Sequence, residues 1–221
     1  MRVFVLCTGR SGSTTLAKSL SHASNVTVGH ESRNHLIDGR LDYPDDHIEI
    51  DSRLAWFLGP LDERFPDALY VHLRRNPDAV AETYARVWTE RVERRRLGWA
   101  IRHLRQTRTY WRKWRRDPFS TEPRIMVLAF AYGLVRSPRP FPPDQRARVA
   151  RLMVDTMESN IRGFLEHRPH WTVSVETFER DVERLWDGLG LEGDKEAALA
   201  ELLVRHNTTQ GPLREDKTDP H

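Results

Sequence analysis

Apolar residues in this chain fall into two kinds of pattern. Short continuous runs read as buried strands, and stretches with apolar residues three and four apart read as helices with one buried face. Val3–Leu6 is a run of the first kind, and Thr14–Ala23 is a helix with Leu16, Leu20 and Ala23 on one side. Val26–Val28 predicts a short second strand, residues 32–47 are polar and irregular, and His47–Ile50 predicts a third strand. A short helix is expected over Arg53–Leu58 and a further strand over Ala68–Leu73. Asn76-Pro77 then opens a helix, with Asn as cap and Pro in the first turn. Val80, Tyr84, Val87 and Trp88 form its apolar face.

The second half is mostly helical in pattern. Leu97, Ile101, Leu104 and Trp111 keep helical spacing, and Arg124–Val135 is apolar and helical. Ser137–Pro143 holds four prolines and reads as a loop before a long amphipathic helix over Gln145–His167. A strand over Trp171–Val175, a helix over Phe178–Leu189 closed by Gly188 or Gly190, and a last helix over Ala197–His206 complete the pattern. Strands alternating with helices predict an α/β fold: a P-loop-type parallel sheet flanked by helices. Ligands of such sheets bind at the carboxyl ends of the strands.

Composition narrows the classes. With 221 residues, 38% hydrophobic and 30% charged, the chain reads as one soluble domain over 1–221, with a helical insertion or cap at about 89–145. No run approaches the roughly 20 apolar residues of a membrane span, and the first residues already read as a strand, so a cytoplasmic protein is expected. Cys7 is the single cysteine, which excludes an intrachain disulfide and a cysteine zinc cluster. The ten histidines show no metal-ligand spacing, so no metal is expected.

The first strand is followed at once by Thr8-Gly9-Arg10-Ser11-Gly12-Ser13-Thr14-Thr15. A glycine turn between a strand and a helix aims backbone N–H groups and the positive end of the helix dipole at one place, which suits a phosphate. The hydroxyls of Ser11, Ser13, Thr14 and Thr15 add donors. The pattern G-x-x-x-x-G-K-[ST] of nucleotide triphosphatases is absent: Cys7 stands five before Gly12, and Ser13 stands at the lysine position. The cation, Arg10, precedes the second glycine instead.

On these residues the chain resembles the sulfotransferases that use 3′-phosphoadenosine 5′-phosphosulfate (PAPS). Arg10-Ser11-Gly12-Ser13-Thr14 is similar to that family's 5′-phosphosulfate loop. Its second hallmark is a strand ending in Arg with a hydroxyl residue eight positions on. Arg75 and Thr83 match it, with Thr in place of the usual Ser and Arg74 as the alternative ligand should the register slip by one. The resemblance implies that Arg10, Ser11, Gly12, Ser13, Thr14 and Thr15 hold the 5′ end of PAPS and that Arg75 and Thr83 hold its 3′-phosphate. Gly29-His30-Glu31-Ser32-Arg33 resembles the Gly-Glu-Glu-Thr-Arg stretch of tyrosylprotein sulfotransferases. It implies Glu31 as catalytic base, with Arg33 as a supporting cation and Arg10 stabilising the transferring group. His30 is a rival base, with His35 and His47 weaker rivals. Val173–Phe178 resembles a family strand in which Glu176 is structural. The tail from His206 to Gly211 matches a cofactor-covering loop, with Arg214 or Lys217 assisting. The resemblance covers residues 2–33 and 68–88 well and 150–215 loosely.

Residues 86–116 hold twelve Lys/Arg against two acids, so this segment is +10 while the rest of the chain is −7. Trp88, Trp99, Trp111 and Trp114 are interleaved with the cations. Three readings compete: a helical insertion that buries Trp and exposes Arg, a surface for an anionic membrane or acidic acceptor, and nucleic-acid binding, which no accompanying nucleic-acid fold favours. The expected activity is sulfuryl transfer from PAPS to a hydroxyl or amine of a small-molecule, carbohydrate, lipid or peptide acceptor. The alternatives are a P-loop kinase or nucleotide hydrolase, and a non-catalytic anion- or membrane-binding relative.

Overall fold

The computed structural model describes residues 1–34, 36, 38–87, 143–204 and 206. Five strands form one sheet: β1 (Arg2–Cys7), β2 (Thr27–His30), β3 (His47–Ile50), β4 (Leu69–Arg74) and β5 (His170–Ser174). Their order is β2-β3-β1-β4-β5, and every pair is parallel. The helices are α1 (Ser13–Leu20), α2 (Leu58–Arg64), α3 (residues 77–87), α4 (Pro143–Leu165), α5 (Phe178–Gly188) and α6 (Lys195–Glu201). Short 3-10 turns over Ser52–Trp56 and Val175–Thr177 follow β3 and β5.

Strand alternation sorts the core into two layers. Val3, Val5 and Cys7 of β1, with Ile48, Ile50, Val71 and Leu73, face α1, α5 and α6. Phe4 and Leu6, with Tyr70, face the 3-10 turn, α2 and α4 through Leu54, Leu61, Met153, Met157 and Ile161. The α/β expectation therefore holds, with a helical layer on each side of a parallel sheet. Both faces of β1 are buried, which is why its sequence is a continuous apolar run rather than an alternating one.

Element boundaries moved by a few residues, and two differences have clear causes. The expected helix over Arg53–Leu58 is a 3-10 turn that passes into α2. Pro60 lies in the first turn of α2, where its missing N–H breaks no helical bond. The last helix ends at Glu201 rather than His206. His206 instead folds back, with its ring nitrogens 2.6 Å from Glu201 Oε1 and 2.9 Å from Lys18 Nζ.

The basic Trp-rich segment, the Arg124–Val135 helix, His35, Arg214 and Lys217 lie outside the described residues. Among the described residues, no helix is long and apolar enough to cross a membrane, and no group of three or more His, Cys, Asp or Glu is placed to hold a metal ion.

Candidate functional site

β1 lies at the centre of the sheet, so the loop after it emerges where the most neighbours reach it. The chain reverses there through three left-handed residues, Gly9 (φ 71°), Arg10 (φ 53°) and Gly12 (φ 85°). Gly9 is required by space as well as by φ: a Cβ there would overlap the Tyr84 hydroxyl and press on Ser52. Gly12 is the N-cap of α1 and gives it no side-chain hydrogen bond. The positive end of that helix dipole therefore faces the loop without a capping oxygen of its own. Arg10 is a non-glycine residue in the left-handed region, a strain of about 1 kcal/mol that favours a functional reason for its side chain.

Four other segments converge on this loop. Arg75, just beyond β4, donates from Nη1 to the Arg10 carbonyl at 2.8 Å. Tyr84 of α3 donates its hydroxyl to the Thr8 carbonyl at 3.0 Å. His30, at the end of β2, has Nε2 3.2 Å from Ser13 Oγ in the first turn of α1. Ser52, opening the turn after β3, lies against Gly9. These contacts gather the carboxyl ends of β1, β2, β3 and β4.

Glu31 follows β2 directly and is itself left-handed at φ 52°. Its N–H continues the ladder to the Ile50 carbonyl at 3.0 Å. Its Oε2 accepts from Arg53 Nη2 at 3.0 Å and from Asn34 Nδ2 at 3.3 Å. The cation on Glu31 is thus Arg53, not Arg33. Arg33 donates to the Gly39 carbonyl and lies over the Tyr43 ring, 5.6 Å from its centroid. Arg53 in turn rests on Asp51, which is fully buried and accepts from the Arg53 N–H at 2.8 Å and from Arg40 Nη2 at 2.6 Å. Burial pushes the Asp51 carboxyl above its ordinary range, against the pull of Arg40 and Arg53.

The predicted residues separate into those brought together and those that are not. Arg10 to Thr15, His30 and Arg75 meet around the loop. Arg75 reaches the loop, while Arg74 lies 3.9 Å from Glu158. This favours Arg75 over Arg74 as the loop-facing arginine. Thr83 is buried and donates its hydroxyl to the Ala79 carbonyl of its own helix at 2.7 Å. His47 begins β3 beside Arg2, at the opposite end of the strands from the loop. There it lies 3.0 Å from Glu49 Oε2, so it is a structural residue and not part of this site. Glu176 accepts from the Asn76 N–H at 2.9 Å and from the Ser174 hydroxyl, tying β5 to the start of α3.

Sequence reasoning missed Arg53, Asp51, Ser52 and Tyr84. Asp51-Ser52-Arg53 directly follows a predicted strand, which is the position at which ligand-site residues of parallel sheets collect. The spacing places Tyr84 on the apolar face of its helix; its ring does pack there, while its hydroxyl reaches the loop. Compared with protein-family models and with curated proteins, the chain matches none.

Proposed function

We propose that this protein transfers a sulfuryl group from PAPS to a hydroxyl or amine of an acceptor. The observation that carries the reading is the Arg75–Arg10 hydrogen bond. Two motifs 65 residues apart, each matched to a different phosphate of one nucleotide, meet in one place. In this reading the N–H groups from Gly12 to Thr15 hold the 5′-phosphate, and Arg10 neutralises charge on the group in transfer. The forked guanidinium of Arg75 binds the 3′-phosphate dianion. Thr83 supports that end by turning its single O–H from the Ala79 carbonyl to a phosphate oxygen.

Glu31 takes the acceptor proton as the acceptor oxygen bonds to sulfur and the sulfur–phosphate oxygen bond breaks, with 3′,5′-adenosine bisphosphate leaving. Arg53 holds the Glu31 carboxylate in one rotamer, which a positioned base requires. The cytoplasm, where PAPS-using enzymes of the soluble kind act, is the compartment this reading assigns.

Thermal melting with 3′,5′-adenosine bisphosphate, AMP and Mg-ATP tests the reading. A ligand at about 100 times its dissociation constant adds roughly 2.7 kcal/mol, a readily measured shift. Stabilisation by the bisphosphate alone is expected. Stabilisation by Mg-ATP instead would make the loop a triphosphate cradle and overturn the assignment.

A further inference from the structure

A second cluster of cations lies beside the loop, and of its arginines only Arg75 is used by the reading above. Helix α4 carries Arg151, Asp155, Glu158 and Arg162 at spacings of four, three and four, which places them along one side of the helix. The opposite side, with Ala150, Met153, Val154, Met157 and Ile161, is buried. The charged side faces the β4–α3 turn across a cavity of about 490 Å³. Among the described residues, Arg74, Arg75, Arg151 and Arg162 line it together with Asp155 and Glu158.

The two carboxylates are already engaged. Asp155 takes Arg151 Nε on both oxygens at 2.8 Å, and Arg151 Nη1 also meets Asp78. Glu158 Oε2 lies 3.3 Å from buried His72, with Arg74 3.9 Å from the other oxygen. Hydrogen bonding from His72, reinforced by Arg74 and Arg162, holds the Glu158 carboxyl below its ordinary range despite burial. It therefore stays ionised and cannot act as a donor to an incoming anion; the guanidiniums must do so. Side-chain exposures of 59% for Arg74 and 43% for Arg151 leave both reachable from solvent. A second cavity, of about 500 Å³, adjoins the first and shares Ser159 and Arg162 with it, adding His72 and His170.

We propose that the cleft between α4 and the β4–α3 turn is a second anion site, which takes a sulfate or phosphate ester group through Arg151, Arg162 and Arg74. The adjoining cavity gives room for the molecule that carries the ester. That this molecule is the acceptor rests on the sulfotransferase reading; the anion site itself does not.

The test is melting and calorimetric titration of the full chain with inorganic sulfate and with inorganic phosphate, at constant ionic strength, with and without saturating 3′,5′-adenosine bisphosphate. Sulfate is expected to bind even when the bisphosphate is present. The double variant Arg151→Gln/Arg162→Gln should weaken sulfate about tenfold or more, and change bisphosphate affinity less than about twofold. Asp155→Asn removes a competing carboxylate and should tighten sulfate by about threefold or more. Loss of sulfate binding once the bisphosphate is bound would merge the two sites and overturn the proposal. So would unchanged sulfate binding in the double variant. Should the double variant fail to fold, Asp155→Asn decides alone, and unchanged or weaker binding there rejects the site. If the bisphosphate binds nowhere, the nucleotide reading falls, while sulfate binding that depends on Asp155, Arg151 and Arg162 still establishes the cleft. A preference for phosphate or sulfate in the same titrations identifies which ester the cleft takes.

Discussion

The Tyr84 hydroxyl donates to the Thr8 carbonyl and occupies the space a side chain on Gly9 would need. Gly9→Ala therefore adds both a left-handed alanine and a steric overlap, and should destabilise the protein by about 2–4 kcal/mol. Tyr84→Phe loses one hydrogen bond and should cost about 1 kcal/mol. The double variant should be less destabilised than the sum, because removing the hydroxyl makes room for the methyl group. Urea unfolding of the four proteins measures the coupling. Strict additivity would show that Tyr84 does not shape the loop.

Arg75→Ala should weaken 3′,5′-adenosine bisphosphate by about thirtyfold or more, in line with loss of a charge-assisted contact to a dianion. The 3′-dephospho analogue should weaken by less than about threefold, through the lost bond to the Arg10 carbonyl. Calorimetry with both nucleotides separates the two effects. Equal losses would assign Arg75 to bracing the loop alone.

Glu31→Gln should lower turnover by about 10²-fold or more, the usual worth of a positioned base. His30→Gln, which alters the contact to Ser13, should lower it by less than about tenfold. The reverse order in single-turnover rates would make His30 the base. Circular dichroism of each variant separates loss of chemistry from loss of fold.

Glu49 is fully buried in β3 and shapes the acid limb of stability. Burial pushes its carboxyl up, yet hydrogen bonds from His47, the Ser32 hydroxyl and the Ser32 N–H outweigh this and hold it below its ordinary value of 4.5. A lowered folded value means that its contribution is present above about pH 4.5 and is lost as pH falls through the folded value. Glu49→Gln should cost about 1–3 kcal/mol at pH 7, and the gap to wild type should shrink as pH drops below 4. A gap that stays constant with pH would show that Glu49 is not ionised in the folded protein.

Cys7 closes β1 beneath the loop and is fully buried. Burial pushes its thiol up to about 12. It should remain unmodified by iodoacetamide at pH 8 in the folded protein and react on addition of denaturant. Fast alkylation of the native protein would mean that the loop opens on the timescale of the reaction.

The layers were legible because burial on both faces leaves a plain mark. Val3–Leu6, His47–Ile50 and Ala68–Leu73 are short and rich in apolar residues, and each became a strand with boundaries shifted by one or two residues at most. The loop was legible because glycines at fixed offsets after a strand have few other uses. The pairing of charges was not. Which cation holds Glu31 depends on how the chain turns after β3, and Arg33, two residues away, looked the nearer partner until that turn brought Arg53 in from a distance of 22 positions. The arginine cleft was hidden for the same reason: Arg74 and Arg151 lie far apart in the sequence, and only the packing of α3 on α4 puts them on one wall.

That packing has a further consequence. Val80 and Ala81 of α3 meet Ala150 and Val154 of α4, and Asp78 pairs with Arg151. Arg74 lies near Glu158 and Asp78 pairs with Arg151, so these contacts move backward along α4 as the chain moves forward from β4. Among the described residues, each face of the sheet already carries a layer of helices. A short linker from residue 87 to residue 143 should therefore leave the sheet folded, and the loop after β1 would then keep its shape with a good part of the chain removed.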